Sequence, residues 1–334
     1  MPRTHTLPSK LRLRRGVTLV ELMVALLISF LLVGAAAYLY MTTRESQRGI
    51  DSAANANDIG AFAMQTLARE VMSAGFFPSL WAEEGKFATV GYEYVENIPS
   101  AKGIAAYQFG IYGCKNQRFD VATGSCVNHA GSVSRGDSLV VSYFTLDTGG
   151  RGQRFDCTGA NADKDTVRNE DKRVWGEGVK SDDDRVPAAP LMVINAFGLN
   201  RTDIEIEGRR STTWSLSCNG NGAGAYQPLL AGVEGLRFTY GLRPAAGTAL
   251  STETYVDADA VTAASAWSRV MSVRVCMLVK SVDSAGTKLS DRNGGGRSYV
   301  DCDGSTVTQA ATDTALYKTY TQTFGVRNHQ TMTY

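Results

Sequence analysis

A single carboxylate stands one turn inside the N-terminal edge of the most apolar part of the sequence. This residue is Glu21, and residues 22–41 after it carry no charge. At the centre of a membrane an acidic side chain costs about 2.5 to 3.5 kcal/mol on insertion scales. A charge of that cost needs a partner or a neutralising proton. We therefore expect Glu21 to have a specific function.

Residues suited to catalysis are scarce. The sequence contains three histidines, His5, His129 and His329, and no G-x-S-x-G motif that would present a nucleophilic serine. The glycines within residues 220–224 and 294–296 lack the G-x-G-x-x-G spacing of a dinucleotide site, so we interpret both stretches as loops. The formal net charge of +1 gives no basic field for nucleic acid. The sequence predicts no enzymatic activity, no cofactor and no nucleic-acid partner.

Oxygen ligands at alternating positions raise the question of calcium. Residues 161–165 have the pattern Asn-x-Asp-x-Asp, but Thr166 and Lys172 replace the glycine and glutamate of a calcium loop. Residues 291–293 lack a terminal acid, because Cys302 occupies its position. We interpret both stretches as solvated turns and predict no metal site.

Six cysteines follow the apolar run, and none forms a C-x-x-C pair: Cys114, Cys126, Cys157, Cys218, Cys276 and Cys302. An even number of cysteines in an exported segment favours disulfides over zinc ligands or free thiols. Six cysteines allow 15 connectivities. We predict the local pair Cys114–Cys126 and the staple Cys276–Cys302, which leaves Cys157–Cys218.

The elements that must position these residues begin with the apolar run, which is long enough for a membrane-spanning helix. Five basic residues precede it with no acid among them: Arg3, Lys10, Arg12, Arg14 and Arg15. This asymmetry predicts that residues 1–15 stay in the cytoplasm and that the chain after Met41 faces the other side. An ordinary secretory signal ending near residues 35–37 and a simple anchor are the alternatives, and neither gives Glu21 a function.

The helix is predicted to continue beyond the membrane, because no proline occurs between Met41 and Pro78. We expect it to end near Ala74, with Gly75 as its cap, about 85 Å from its start at Val17. Apolar or small residues at three- and four-residue steps predict a stripe that packs on a globular head: Ile59, Phe62, Ala63, Thr66, Leu67 and Val71.

Period-two alternation replaces the helical pattern after Trp81. It predicts strands at 137–144, 191–195, 203–207, 212–218, 233–242, 270–280 and 320–326. The polar stretch from Cys157 to Pro190 predicts a long exposed loop.

The N-terminal residues resemble the class III signal of type IV prepilins and type II secretion pseudopilins. The resemblance lies in Arg14-Arg15-Gly16-Val17-Thr18-Leu19-Val20-Glu21 and the apolar residues after it. It implies that a membrane peptidase cuts between Gly16 and Val17, that Val17 is then N-methylated, and that Glu21, fifth in the mature chain, acts in subunit assembly. Val17 departs from the phenylalanine common at that site.

The later segments are similar to PilW-type minor pilins: GVEGLRFTYGL (232–242), VMSVRVCMLVKS (270–281), YVDCDG (299–304) and TFGVRN (323–328). This resemblance implies an α+β fold in which a long N-terminal helix packs on an antiparallel sheet. The expected division is a leader at 1–16, a helix at 17–75 whose first half spans the membrane, and a β-rich head at 76–334.

The function implied is that of a minor pilin that aids initiation of a type IV pilus, with a place at its tip. The implied partners are other minor and major pilins, the prepilin peptidase, the inner-membrane assembly platform and a large adhesin-like tip protein. The head would be periplasmic before assembly and on the cell surface afterwards. A type II secretion minor pseudopilin, and a prepilin-anchored adhesin or enzyme, are the alternatives.

Overall fold

The computed structural model describes residues 18–76, 109–128, 136–146, 155–160, 190–206, 209–221, 225–244, 254–281, 297–310 and 313–329. Its first element is a single helix of 55 residues, α1 (Leu19–Ser73). The hydroxyl of Thr18 caps it by accepting the amide N–H of Glu21 at 3.2 Å. At the other end Gly75 takes a positive φ of 70°. The helix ends one residue before the predicted Ala74, and Val17 lies outside the described residues.

Thirteen strands and one short helix follow in the described part of the chain, and all strand pairs named here are antiparallel. They are β1 (Ile111–Cys114), β2 (Arg118–Asp120), β3 (Ser125–Val127), β4 (Ser138–Leu146), β5 (Pro190–Ile206), β6 (Arg209–Asn219), β7 (Gln227–Ala231), β8 (Val233–Leu242), β9 (Thr254–Val256), α2 (Ala258–Ala263), β10 (Val270–Lys280), β11 (Ser298–Val300), β12 (Thr306–Thr308) and β13 (Tyr317–Gly325). Single 3-10 turns occupy Trp267–Arg269 and Arg327–His329.

The strands form two main sheets. One has the order β1-β4-β5-β6-β7 and the other the order β13-β10-β8-β9, while β2-β3 and β11-β12 are separate hairpins. Asp137 joins the main sheets, since its buried carboxylate accepts amide N–H groups from Asn116 and Phe238 at 2.9 Å each. Burial raises the pKa of Asp137, although these two hydrogen bonds oppose the rise.

The core lies between the second half of α1 and the facing sheets. Two strands supply buried apolar residues at alternate positions, as predicted: Leu236, Phe238, Tyr240 and Leu242 on β8, and Val273, Val275, Met277 and Val279 on β10. On the helix Leu67 and Val71 are fully buried, which is worth about 1.5 to 3 kcal/mol each. The predicted α+β architecture, a long helix on antiparallel sheets, is confirmed.

The prediction that Phe62 belongs to the buried stripe of α1 is wrong. Phe62 is 57% exposed, whereas Ile59, Ala63 and Leu67 are buried. One position along a helix is a rotation of about 100°, which carries Phe62 away from the face that Ala63 presents to the head.

Two strand predictions also needed correction. The separate strands predicted at 191–195 and 203–207 form one strand, β5, because its pairing with β6 runs without a break from Ala196 to Ile206. Most of the loop predicted between Cys157 and Pro190 lies outside the described residues. The hairpins β2-β3 and β11-β12 were not predicted, since strands of three residues are too short to show alternation.

Candidate assembly interface

The carboxylate of Glu21 stands in the first turn of α1, among exposed apolar side chains. Its position there also suits the partial positive charge of a helix N-terminus. In the part of the chain that the structure describes, no cation lies within ion-pair distance of Glu21. Gly16 and Val17, the predicted cleavage and methylation residues, lie outside the described residues.

The first half of α1 has no protein partner within the described chain. Every large apolar side chain from Leu19 to Met41 is more than half exposed. Residues 22–41 extend about 30 Å along the helix axis, which matches the hydrocarbon thickness of a bilayer. By length and composition this helix qualifies as a membrane span. Lipid, or the helices of other subunits, must cover this surface.

Aromatic and basic residues mark the end of the apolar half. Tyr38 and Tyr40 are exposed, and the guanidinium of Arg44 lies 5.9 Å from the ring centre of Tyr40. Tyrosines with a nearby cation are typical of the membrane-water boundary. This pattern indicates that α1 leaves the membrane near Arg44.

The second half of α1 docks on the head where Tyr320 of β13 meets a helical glycine. The hydroxyl of Tyr320 lies 3.1 Å from the carbonyl oxygen of Ala56 and 2.7 Å from Oδ1 of Asn57, and its single proton is shared between these two acceptors. Lys318 donates to the same Oδ1 at 2.7 Å. A Cβ atom on Gly60 would lie only 2.6 Å from the Tyr320 ring. The helix can approach this strand so closely because residue 60 has no side chain.

We predict that Gly60→Ala lowers the stability of the full-length protein relative to Gly49→Ala. In a helix, either change adds about 1 kcal/mol of intrinsic stability. At Gly49 a Cβ meets no atom within 4 Å, so that gain remains. At Gly60 it must displace Tyr320, whose hydroxyl hydrogen bond is worth about 0.5 to 1.5 kcal/mol.

Urea unfolding of both variants in detergent measures the difference. Equal midpoints for the two variants would show that Tyr320 moves aside without cost.

A polar connection ties α1 to the large sheet through Glu70, which is 7% exposed. Asn195 of β5 donates its side-chain N–H to Glu70 at 2.6 Å and accepts the backbone N–H of Cys157 at 2.8 Å. Cys157 is in turn bonded to Cys218 of β6. One side-chain amide therefore links the helix, the sheet and a disulfide.

Three disulfide bonds cross-link the head. They join Cys114 to Cys126, Cys157 to Cys218 and Cys276 to Cys302, which leaves no free cysteine in the chain. This pairing coincides with that predicted from the sequence. Cys114–Cys126 joins β1 to β3, and Cys157–Cys218 joins the segment 155–160 to β6. Cys276–Cys302 joins β10 to the turn between β11 and β12.

No metal-binding cluster is found among the described residues, where no group of three or more His, Cys, Asp and Glu side chains is placed to hold a metal ion. His329 is buried, with its ring nitrogens at the carbonyls of Val270 and Phe109. Burial lowers the pKa of His329 despite those contacts. His5, His129 and the calcium-like stretches 161–165 and 291–293 lie outside the described residues.

The sequence names Glu21 as a candidate and predicts the cysteine pairs, but it does not indicate the residues that dock the helix: Gly60, Glu70, Asn195, Lys318 and Tyr320. Its only available signals were a glycine and an acid on the helical face that carries Ile59 and Ala63. Neither signal identifies a partner more than a hundred residues away, because that depends on how the sheets fold back on the helix.

Comparison with known proteins gives matches at both ends of the chain. Residues 206–328 match the family described as Type IV Pilus-assembly protein W, and residues 11–37 match the prokaryotic N-terminal methylation motif. Among solved structures, the type IV-like pilin TTHA1219 from Thermus thermophilus is 11% identical, with 82% of this chain and 96% of that chain covered and a TM-score of 0.33. No curated protein matches significantly. By the two family matches and the exposed apolar helix, this chain is similar to type IV prepilins, and its residues 206–328 are similar to PilW-type minor pilins.

Proposed function

We propose that this chain is a minor pilin, a structural subunit that helps to initiate a type IV pilus and has its place near the filament tip. The observation that carries the proposal is the division of α1. Its first half exposes an apolar surface with one acid, and its second half is docked to a β-rich head whose residues 206–328 match the PilW family. Such a chain can leave the membrane only if other helices replace the lipid around it.

The proposed domain division is a leader at 1–16, a helix at 17–75 and a head at 76–334. The peptidase removes the leader and Val17 is methylated, which leaves a positively charged amine. The head stands in the periplasm while residues 22–41 span the inner membrane. The chain then enters the filament through the assembly platform, beside other minor and major pilins and a large adhesin-like tip protein.

N-terminal mass spectrometry of membrane and pilus fractions tests this proposal. We expect a mature chain that begins with methylated Val17, and we expect a bulky residue in place of Gly16 to leave the leader attached. An intact Met1 terminus, or cleavage after Ala37, would contradict the assignment.

Deletion of the gene then separates the pilus from its nearest alternative, the type II secretion system. We expect a loss of surface pili with secretion unchanged. The reverse result would make the chain a pseudopilin.

A further inference from the structure

The two main sheets have four edge strands in the described part of the chain, and three of them are poor templates for another strand. β9 has three residues and β1 has four. β7 carries Pro228, and its pairing with β6 is interrupted by a register shift. Short strands, prolines and bulges are the usual means by which proteins prevent pairing at a sheet edge.

The fourth edge strand, β13, has none of these features. Its nine residues, YKTYTQTFG, pair with β10 in one unbroken register and contain no proline and one charge. Thr321, Gln322 and Thr323 are all exposed. β11 contacts the start of this strand, where the hydroxyl of Thr319 donates to the carbonyl of Val300 and the ring of Tyr317 stacks on that of Tyr299, so the part suited to pairing with another chain is 321–325.

The pairing with β10 shows which backbone groups of β13 point outward. Val326 donates to the carbonyl of Met271 and Ser281 donates to that of Leu316, so even-numbered residues form the hydrogen-bonded pairs. The N–H and C=O groups of Thr321 and Thr323 therefore point away from β10. Among the described residues, no backbone group bonds to them.

A groove of about 460 Å³ runs beside this edge, between β13 and α1. On the helix its wall includes Ala61 and Ala68, and on the strand it includes Tyr320 and Phe324. The small alanine side chains leave room for larger side chains from an added strand. Alternate residues of that strand would lie in the groove while its backbone paired with β13.

A second copy of this chain fits the edge poorly. β13 runs in the same direction as α1, because Lys318 contacts Asn57 and Asn328 contacts Ala74. Antiparallel pairing of two copies would reverse one α1 relative to the other, yet both must enter the membrane from the same side. Parallel pairing in register would place Lys318 opposite itself, and like charges directly opposite each other are destabilising.

We propose that β13 is a pairing site for an extended strand of a different subunit, uncharged and with bulky apolar residues at alternate positions. This inference rests on the proposed function, which supplies a neighbouring subunit in the same membrane. Main-chain hydrogen bonds would provide affinity and the groove would provide specificity. The edge would bind its partner before or during entry into the filament.

Photo-crosslinking in producing cells tests the proposal on the full-length chain. The crosslinker p-benzoylphenylalanine replaces Thr321 or, as a control, the exposed Thr308 of β12. We expect the probe at position 321, and not the control, to crosslink to a strand of another prepilin-like protein. Mass spectrometry identifies the crosslinked peptide, and we expect the crosslinked product in the membrane fraction. A crosslink only to a second copy of this chain, or none, overturns the proposal. Absence of the chain from pili would contradict the proposed function. The crosslink in the membrane fraction would still show whether β13 pairs with another subunit.

Two substitutions at the same residue separate pairing from folding. Thr321→Pro removes an outward N–H without removing a bond to β10, whereas Thr321→Val keeps the N–H and suits a strand. We expect the proline variant to reduce the yield of partner crosslink from a second probe at Thr323 by about five- to tenfold. The valine variant should match the wild type. Equal yields for both variants, with equal thermal stability, would show that the edge is not paired.

Discussion

Replacing Glu21 with alanine is expected to lower the amount of this chain in sheared pili by at least about tenfold, with membrane insertion and cleavage after Gly16 unchanged. Within the described chain no cation pairs with this carboxylate. In a helix bundle it needs a partner, and we propose the positive amine of Val17 in the adjacent subunit. Breaking a buried ion pair typically costs about 3 to 5 kcal/mol, far more than the 1.4 kcal/mol that a tenfold change requires.

The matched control is Glu45→Ala, a change of the same kind on the same exposed helix but beyond the apolar run. We expect it to enter pili normally, because an exposed charge contributes about 0 to 1 kcal/mol. Immunoblots of pilus and membrane fractions at matched expression measure both variants. Normal incorporation of Glu21→Ala would assign docking to the head instead.

Loss of the disulfide between Cys157 and Cys218 is expected to destabilise the head more than loss of either other disulfide. These cysteines are 61 residues apart, against 26 for Cys276–Cys302 and 12 for Cys114–Cys126. In the chain-entropy model the three bonds contribute about 4.3, 3.5 and 3 kcal/mol in that order. Removing the first also frees the backbone of Cys157, which holds Asn195 against Glu70.

Double serine variants of each pair, unfolded by urea in detergent without reductant, give the three free energies. We expect the Cys157–Cys218 variant to have the lowest midpoint and also the helix most open to proteolysis near Glu70. The Cys114–Cys126 variant is the control, since its loop is the shortest of the three. An equal loss for all three would mean that loop length does not govern these bonds. Six free thiols in the exported wild-type protein would contradict the pairing itself.

The sequence predicted those parts of the fold that local pattern determines. The apolar run and Gly75 indicate the helix α1 and its end, and alternation over ten residues or more indicates β8 and β10. The prediction divides β5 because Gly198 and the polar residues 200–202 interrupt its pattern, and only the pairing with β6 shows that the strand continues. Alternation cannot reveal pairing.

The candidate site divides in the same way. Glu21 can be recognised from the sequence because it is a charged residue at the edge of an apolar run. Gly60 and Tyr320 do not differ from their sequence neighbours in any such way. Their importance arises from a contact between residues 260 positions apart in the chain. The free edge of β13 is likewise a property of the sheet order, since its residues resemble those of any paired strand.

A stretch of α1 that is not packed on the head separates the membrane-spanning residues from the head. With the bilayer around residues 22–41, the first residue of α1 that is buried against the head is Ser52. The intervening turns place the first buried contact between α1 and the head about 15 Å from the hydrocarbon, whereas the headgroup layer is about 5 to 8 Å thick. That contact therefore lies beyond the headgroups, and the exposed turns between it and the lipid stay open to the helices of neighbouring subunits.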